Sequence, residues 1–180
     1  MKCFKKSPFT IIAILLVYQL VGCGKDEEPV NTVTSRWNIN IDGANYSYEG
    51  TYTEAGDLTN CPGIFQTNSG IPEGGGQILL ISDDNLFTIQ IASVDLTTTG
   101  SYVFDSGSQG VVSILHGMSS YATFEGSVTV NVTTFPYLVW GVTSDVESTL
   151  AKGDFSGTVI DNFDNTPHTI SGSFDAIRVQ

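Results

Sequence analysis

From Arg36 to the C-terminus, apolar and polar residues alternate with a period of two, and the alternation is broken at short intervals by turn formers. Such a pattern predicts strands rather than helices. Trp37, Ile39 and Ile41 alternate with Asn38 and Asn40, and Asp42-Gly43-Ala44-Asn45 reads as the turn that follows. Tyr46, Tyr48 and Tyr52 then share one face of the next run. Gly74-Gly75-Gly76 leads into Gln77-Ile78-Leu79-Leu80-Ile81, a continuous apolar run that predicts burial on both faces. Asp83-Asp84-Asn85 turns the chain into Phe87, Ile89 and Ile91, alternating with Thr88 and Gln90, so these two runs predict a hairpin.

The longest alternation runs from Tyr121 to Val132. It puts Ala122, Phe124, Gly126, Val128, Val130 and Val132 on a dry face and Tyr121, Thr123, Glu125, Ser127, Thr129 and Asn131 on a wet one. Near the end, Gly153-Asp154-Phe155-Ser156-Gly157 is echoed by Gly172-Ser173-Phe174-Asp175-Ala176 across the turn-rich Asp161–Pro167. A hairpin about that loop predicts Phe155 opposite Phe174, both rings in the core. Helix is confined to one place: Ser144-Asp145-Val146-Glu147 has capping-box spacing and predicts a turn or two between Val146 and Ala151. Residues 36–180 are therefore expected to form one all-β domain, an antiparallel β-sandwich of roughly nine or ten strands, with a β-barrel-like closure as the alternative.

The first residues obey a different rule. Met1-Lys2-Cys3-Phe4-Lys5-Lys6 is basic, Pro8 to Tyr18 is largely apolar, and Leu20-Val21-Gly22-Cys23 closes the segment with a small residue before a cysteine. This is the order of a secretory signal peptide, here over 1–22. A membrane span needs about 20 apolar residues; this run is shorter, is interrupted by Gln19 and meets charge at Lys25. Leu20-Val21-Gly22-Cys23 resembles the lipobox of bacterial lipoproteins. The resemblance implies diacylation of the Cys23 thiol, cleavage before it and acylation of the new amino terminus, with Cys3 discarded. Several acyl chains on one residue anchor far better than one.

Lys25, Asp26, Glu27 and Glu28 are similar to the export signal of Bacteroidota surface lipoproteins. The similarity implies an outer-membrane protein held by its lipid and facing the cell exterior; the periplasmic face is the alternative. Residues 23–35, polar and containing Pro29, read as a lipidated tether. Together with Gly100-Ser101-Tyr102 after Leu96-Thr97-Thr98-Thr99, the Gly126–Val130 strand and the closing Gly-x-Phe hairpin, these features resemble a family of Bacteroidota surface-exposed lipoproteins of unknown function. That resemblance implies a β-sandwich and no activity.

Charge narrows the partners. The chain carries 19 acidic and 7 basic residues, a formal charge of −12. Loss of Lys2, Lys5 and Lys6 with the leader takes it to about −15. Such a surface repels nucleic acid and anionic headgroups. Cys61 is the one cysteine left after lipidation, which excludes an intramolecular disulfide and a thiolate metal cluster and fits a small buried hydrophobe.

Chemical motifs are few. No nucleophile elbow, zinc-protease helix, phosphate loop or Cys-x-x-Cys occurs, so no catalytic residue and no cofactor is assigned. Carboxylates available to a glycosidase are Asp83, Asp84, Asp154, Asp161, Asp164 and Asp175; most sit where Asp serves turns. Asp161 and Asp164 are the candidates for calcium, although their loop lacks EF-hand spacing. His116 and His168 stand apart, each at a strand end, and read as structural. Phe135, Tyr137 and Trp140 are the candidate sugar-stacking platform. The expected function is a non-enzymatic, membrane-anchored module that binds an extracellular glycan or protein. The alternatives are a structural accessory subunit of an outer-membrane assembly and a glycoside hydrolase.

Overall fold

The computed structural model describes residues 32–53, 62–67, 75–137, 139 and 147–179. The leader, Cys23, Lys25 to Glu28, Cys61, Trp140 and the start of the capping-box segment lie outside the described residues. The domain is all-β, mostly antiparallel. Its strands are β1 (Thr32–Ile41), β2 (Ala44–Thr53), β3 (Gly63–Thr67), β4 (Gly76–Ile81), β5 (Phe87–Ser93), β6 (Gly100–Phe104), β7 (Gly110–His116), β8 (Ser119–Thr134), β9 (Leu150–Asp161) and β10 (Pro167–Val179).

Two layers share two strands. One layer has the order β2-β1-β10-β9-β8-β6, antiparallel throughout. The other has the order β3-β4-β5-β7. The first half of β8 pairs with β7, and the last residues of β10 run parallel to β3, Ile177 opposite Ile64. The ladder thus returns on itself through both layers, which leaves β2 and β6 as the edges among the described strands. Strands that pass from one layer to the other do so at bulges or bends, and β8 has its register shift between Ala122 and Ser127.

That bulge changes which side chains point inward. Val128, Val130 and Val132 are buried as the alternation predicts, but Tyr121 and Thr123, expected on the wet face, are buried as well. Before the bulge Tyr121 faces Ile114 of β7; after it Val130 faces Phe155 of β9. From Ala122 opposite Ile160 to Ser127 opposite Thr158, β8 advances five residues against two of β9, and an odd excess reverses the parity of a strand.

The core is continuous between the layers. Trp37, Ile39 and Ile41 of β1 meet Ile78, Leu80, Phe87, Ile89 and Ile91 from the opposite layer, with Phe155, Ile170 and Phe174 beside them. The Trp37 indole nitrogen donates to the Ile81 carbonyl at 3.2 Å, which ties β1 to β4. Tyr46 and Tyr48 lie half-buried on the inner face of β2.

Several expectations need correction. β1 begins at Thr32, so Thr32–Ser35, read as tether, are strand; Ser35 is buried, its hydroxyl donating to the Gly63 and Asp175 carbonyls. In β4 only alternate residues are fully buried: Ile78 and Leu80 face the core while Leu79 and Ile81 lie half-exposed on the outer face. The segment expected to be helical holds a single 3₁₀ turn, Glu147–Thr149, because Leu150 and Ala151 are already paired in β9. Phe155 and Phe174 are both buried but do not face one another: Phe155 opposes Gly172, and Phe174 opposes Gly153.

Candidate functional site

Four hairpin turns gather at one end of the domain. The β1–β2 turn needs only Asp42 and Gly43, both at positive φ (49° and 93°), the conformation that a two-residue hairpin demands. The β4–β5 turn contains Asn85 at φ 58°, and the β9–β10 turn Asn165 at φ 62°. Gly117 and Met118 connect β7 to β8. The turns are stitched side by side. Gly117 N–H donates to the Leu86 carbonyl at 2.8 Å, Asn162 N–H to the Ser120 carbonyl at 2.7 Å, and Asp42 N–H to the Thr169 carbonyl at 3.0 Å. Beneath them, the His116 ring stacks on Phe87 at 4.6 Å and meets the edge of Tyr46 at 4.8 Å.

The turns present apolar side chains to solvent. Leu86 is 60% exposed, Phe163 94%, and Met118 fully so. A lone exposed apolar residue means little; here three stand on neighbouring turns. In the sequence all three are inconspicuous: Met118 and Phe163 interrupt polar turns, and Leu86 reads as the start of the apolar run that continues with Phe87. The one signal there is the residue type at each tip: Leu, Met and Phe where Gly, Asn, Asp or Ser is usual.

Around these side chains lie carboxylates held by their own turns. Asp42 accepts from His168 Nδ1 at 2.7 Å and from Thr169 N–H at 2.8 Å, and the imidazole, then the amide, hold its pKa below the usual 3.8. Asp84 is lowered by the Ser82 hydroxyl and then by the Leu86 N–H. Asp164 is lowered by the Thr166 hydroxyl at 2.6 Å and then by the Thr166 N–H at 2.9 Å. A group whose pKa falls on folding stabilises the fold in full above its unfolded value, and that contribution is lost as pH drops through the lowered value. Melting temperature is therefore expected to fall as pH goes below 3.8, and less steeply in an Asp42→Asn/Asp84→Asn/Asp164→Asn variant. Thermal melts from pH 7 to about pH 2 check this.

Asp42, His168 and Thr166 have the outline of a nucleophile, base and orienting acid, with Thr166 Oγ1 2.9 Å from His168 Nε2. Thr166 Oγ1 has two neighbours within hydrogen-bond distance, Asp164 Oδ1 at 2.6 Å and His168 Nε2 at 2.9 Å, so the hydroxyl is held by its own turn as well as by the ring. The set clamps the β1–β2 turn to the β9–β10 turn.

The residues expected to form sites are dispersed. Phe135 is half-buried, its ring edge-on to Phe65 at 5.2 Å, while Tyr137 is 69% exposed. Trp140, the third member of the candidate platform, lies outside the described residues. Asp161 is buried and caps Phe163 N–H at 2.7 Å; Asp164 caps Thr166, so each carboxylate of the calcium candidate serves its own backbone. Among the described residues no group of three or more His, Cys, Asp or Glu is arranged to hold a metal. Asp154 accepts from the Asn131 amide at 2.8 Å, and Asp175 pairs with Arg36 at 2.9 Å.

Those last pairs belong to a broad polar face. Outward positions of β2, β1, β10, β9 and β8 carry Ser47, Glu49, Arg36, Asn38, Ser173 and Asp175, then Lys152, Asp154, Ser156, Thr129 and Asn131 in register. Its polar groups bond one another, as Asn38 does with Ser173 at 2.6 Å.

No protein-family model, no curated protein and no solved structure matches the chain.

Proposed function

We propose that the protein is a non-enzymatic lipoprotein, anchored through Cys23 in the outer membrane and displayed on the cell exterior, that binds an extracellular protein through its hairpin end. The observation that carries this reading is the exposure of Leu86, Met118 and Phe163 on turns stitched side by side. A few anchoring side chains carry most of the binding energy of a protein interface, and burying three exposed apolar side chains of this size is favourable. The direction of β1 supports the reading. The chain from Cys23 enters β1 at Thr32, and β1 runs ten residues before reaching the Asp42 turn. At about 3.3 Å per residue, the binding end stands roughly 30 Å from the point where the tether joins. A glycan is the weaker fit, because the outward positions of the polar face carry no aromatic ring on which a sugar could stack.

Protease treatment of intact cells tests the display. The native protein is expected to be shaved. A variant with Lys25, Asp26, Glu27 and Glu28 all changed to alanine is expected to be protected, and Cys23→Ala to leave the membrane fraction. Protection of the native protein overturns the reading.

A further inference from the structure

The apolar tips have a one-sided electrostatic surrounding. Asp42, Asp83, Asp84 and Asp164 are exposed within the same turns as Leu86, Met118 and Phe163 or beside them. Three of the four are held below the ordinary carboxylate range by hydrogen bonds from their own turns or from His168, which favours the charged form. No lysine or arginine lies in the four turns. The lysine and arginines of the described domain stand elsewhere, and His168 is the basic side chain bonded to Asp42. Arg36 and Lys152 flank Asp175 across β1, β10 and β9, and Arg178 bonds the Pro136 carbonyl near the end of β10. Among the described residues lysine and arginine are thus confined to the middle and the tether end, while the hairpin end carries bare apolar groups, these aspartates and the imidazoles of His116 and His168, the latter bonded to Asp42.

We infer that the partner bound by the hairpin end is a polypeptide whose own surface sets lysine or arginine around an apolar recess. This rests on the hairpin end being the binding surface, as proposed above. Other occupants meet a physical obstacle. A second copy through the same end brings like charges together, which costs several-fold in affinity. Anionic lipid and nucleic acid are repelled by the same aspartates. A cationic polypeptide gains on both counts: its basic side chains find carboxylates already ordered by their turns, and its apolar centre covers Leu86, Met118 and Phe163. Long-range attraction between the two also raises the rate of encounter, an advantage that salt screens.

The experiment uses the full lipidated chain in phosphatidylcholine nanodiscs, with empty nanodiscs as reference. The probes are a short peptide with a Leu-Phe-Leu centre and two lysines at each end, and the same peptide with glutamate in place of lysine. The native protein is expected to prefer the lysine peptide by at least about tenfold, and raised salt to erode that preference. Asp83→Asn/Asp164→Asn is expected to lose most of the preference. Asp95→Asn/Asp105→Asn removes equal charge from turns at the other end of β5 and β7, and is expected to keep it. Leu86→Ser/Met118→Ser/Phe163→Ser is expected to weaken both peptides by about tenfold or more while melting like the native protein, since all three side chains are exposed.

If the two peptides bind the native protein equally and the serine variant loses both, the partner class is overturned and the hairpin end survives as the binding surface. If both aspartate variants lose the preference alike, the attraction belongs to the whole acidic surface and the inference falls. If the serine variant binds the lysine peptide as the native protein does, the inference and the assignment of the hairpin end fall together.

Discussion

Replacing Trp37 with alanine is expected to remove about 3–5 kcal/mol of stability, the range for truncating a fully buried aromatic side chain. The size follows from position. Trp37 is 1% exposed and stands where the two layers meet. On β1 it lies between Tyr48 of β2 and Phe174 of β10, with the Tyr48 ring centre at 4.6 Å. Across the core it meets Phe87 at 5.3 Å, and its indole nitrogen holds the Ile81 carbonyl. Alanine opens a cavity bordered by strands of both layers and leaves that carbonyl without its donor. A native domain has only about 5–15 kcal/mol in total, so a large fraction of the variant unfolds or is cleared. Trp37→Phe keeps most of the volume and is expected to cost much less, chiefly the hydrogen bond, about 1 kcal/mol. Urea unfolding followed by circular dichroism, with the slope unchanged from the native protein, measures both.

The inward position of Trp37 is legible in the sequence alone. Trp37 opens the first clean alternation, and alternation reports which residues share a face whenever a strand keeps one parity. The same holds for the β4–β5 hairpin and for the inner face of β2. Three features are hidden, each for a physical reason. The inward turn of Tyr121 depends on the register shift in β8, and such a shift adds residues to one strand without changing its composition. The half-exposure of Leu79 and Ile81 depends on what covers the outer face of β4, which is a long-range fact. The hairpin end depends on four turns far apart in sequence arriving side by side. Met118 and Phe163 look like isolated irregularities, and Leu86 like the start of an apolar run, until Gly117 is seen to bond Leu86 and Asn162 to bond Ser120. The targeting segment, by contrast, is read from neighbouring residues alone, because lipoboxes and export signals act as short linear motifs.

The register of the last hairpin leads to the other large effect. Gly172→Ala and Gly153→Ala are each expected to cost about 3 kcal/mol, at or beyond the upper end of what overpacking usually costs. The echo of Gly-x-Phe across the β9–β10 loop suggests two phenylalanines in contact. The strands instead pair two residues out of that register, so each ring comes to lie over the opposing glycine, Phe155 over Gly172 and Phe174 over Gly153. A β-carbon on Gly172 would sit 2.5 Å from the Phe155 ring and 2.3 Å from the Asn38 carbonyl oxygen; one on Gly153 would sit 2.7 Å from Phe174 and 2.2 Å from the Asn131 oxygen. A ring can turn aside, but a carbonyl fixed in the ladder cannot move without parting β10 from β1 or β9 from β8. The backbone contact therefore sets the cost. Pairing Gly172→Ala with Phe155→Leu is expected to recover little of the loss, whereas full recovery would show that the ring alone demands glycine. Ser171→Ala, one residue away on the exposed face, is expected to stay within about 0.5 kcal/mol of the native protein. Denaturant unfolding of the two glycine variants, the double variant and this control separates the two causes.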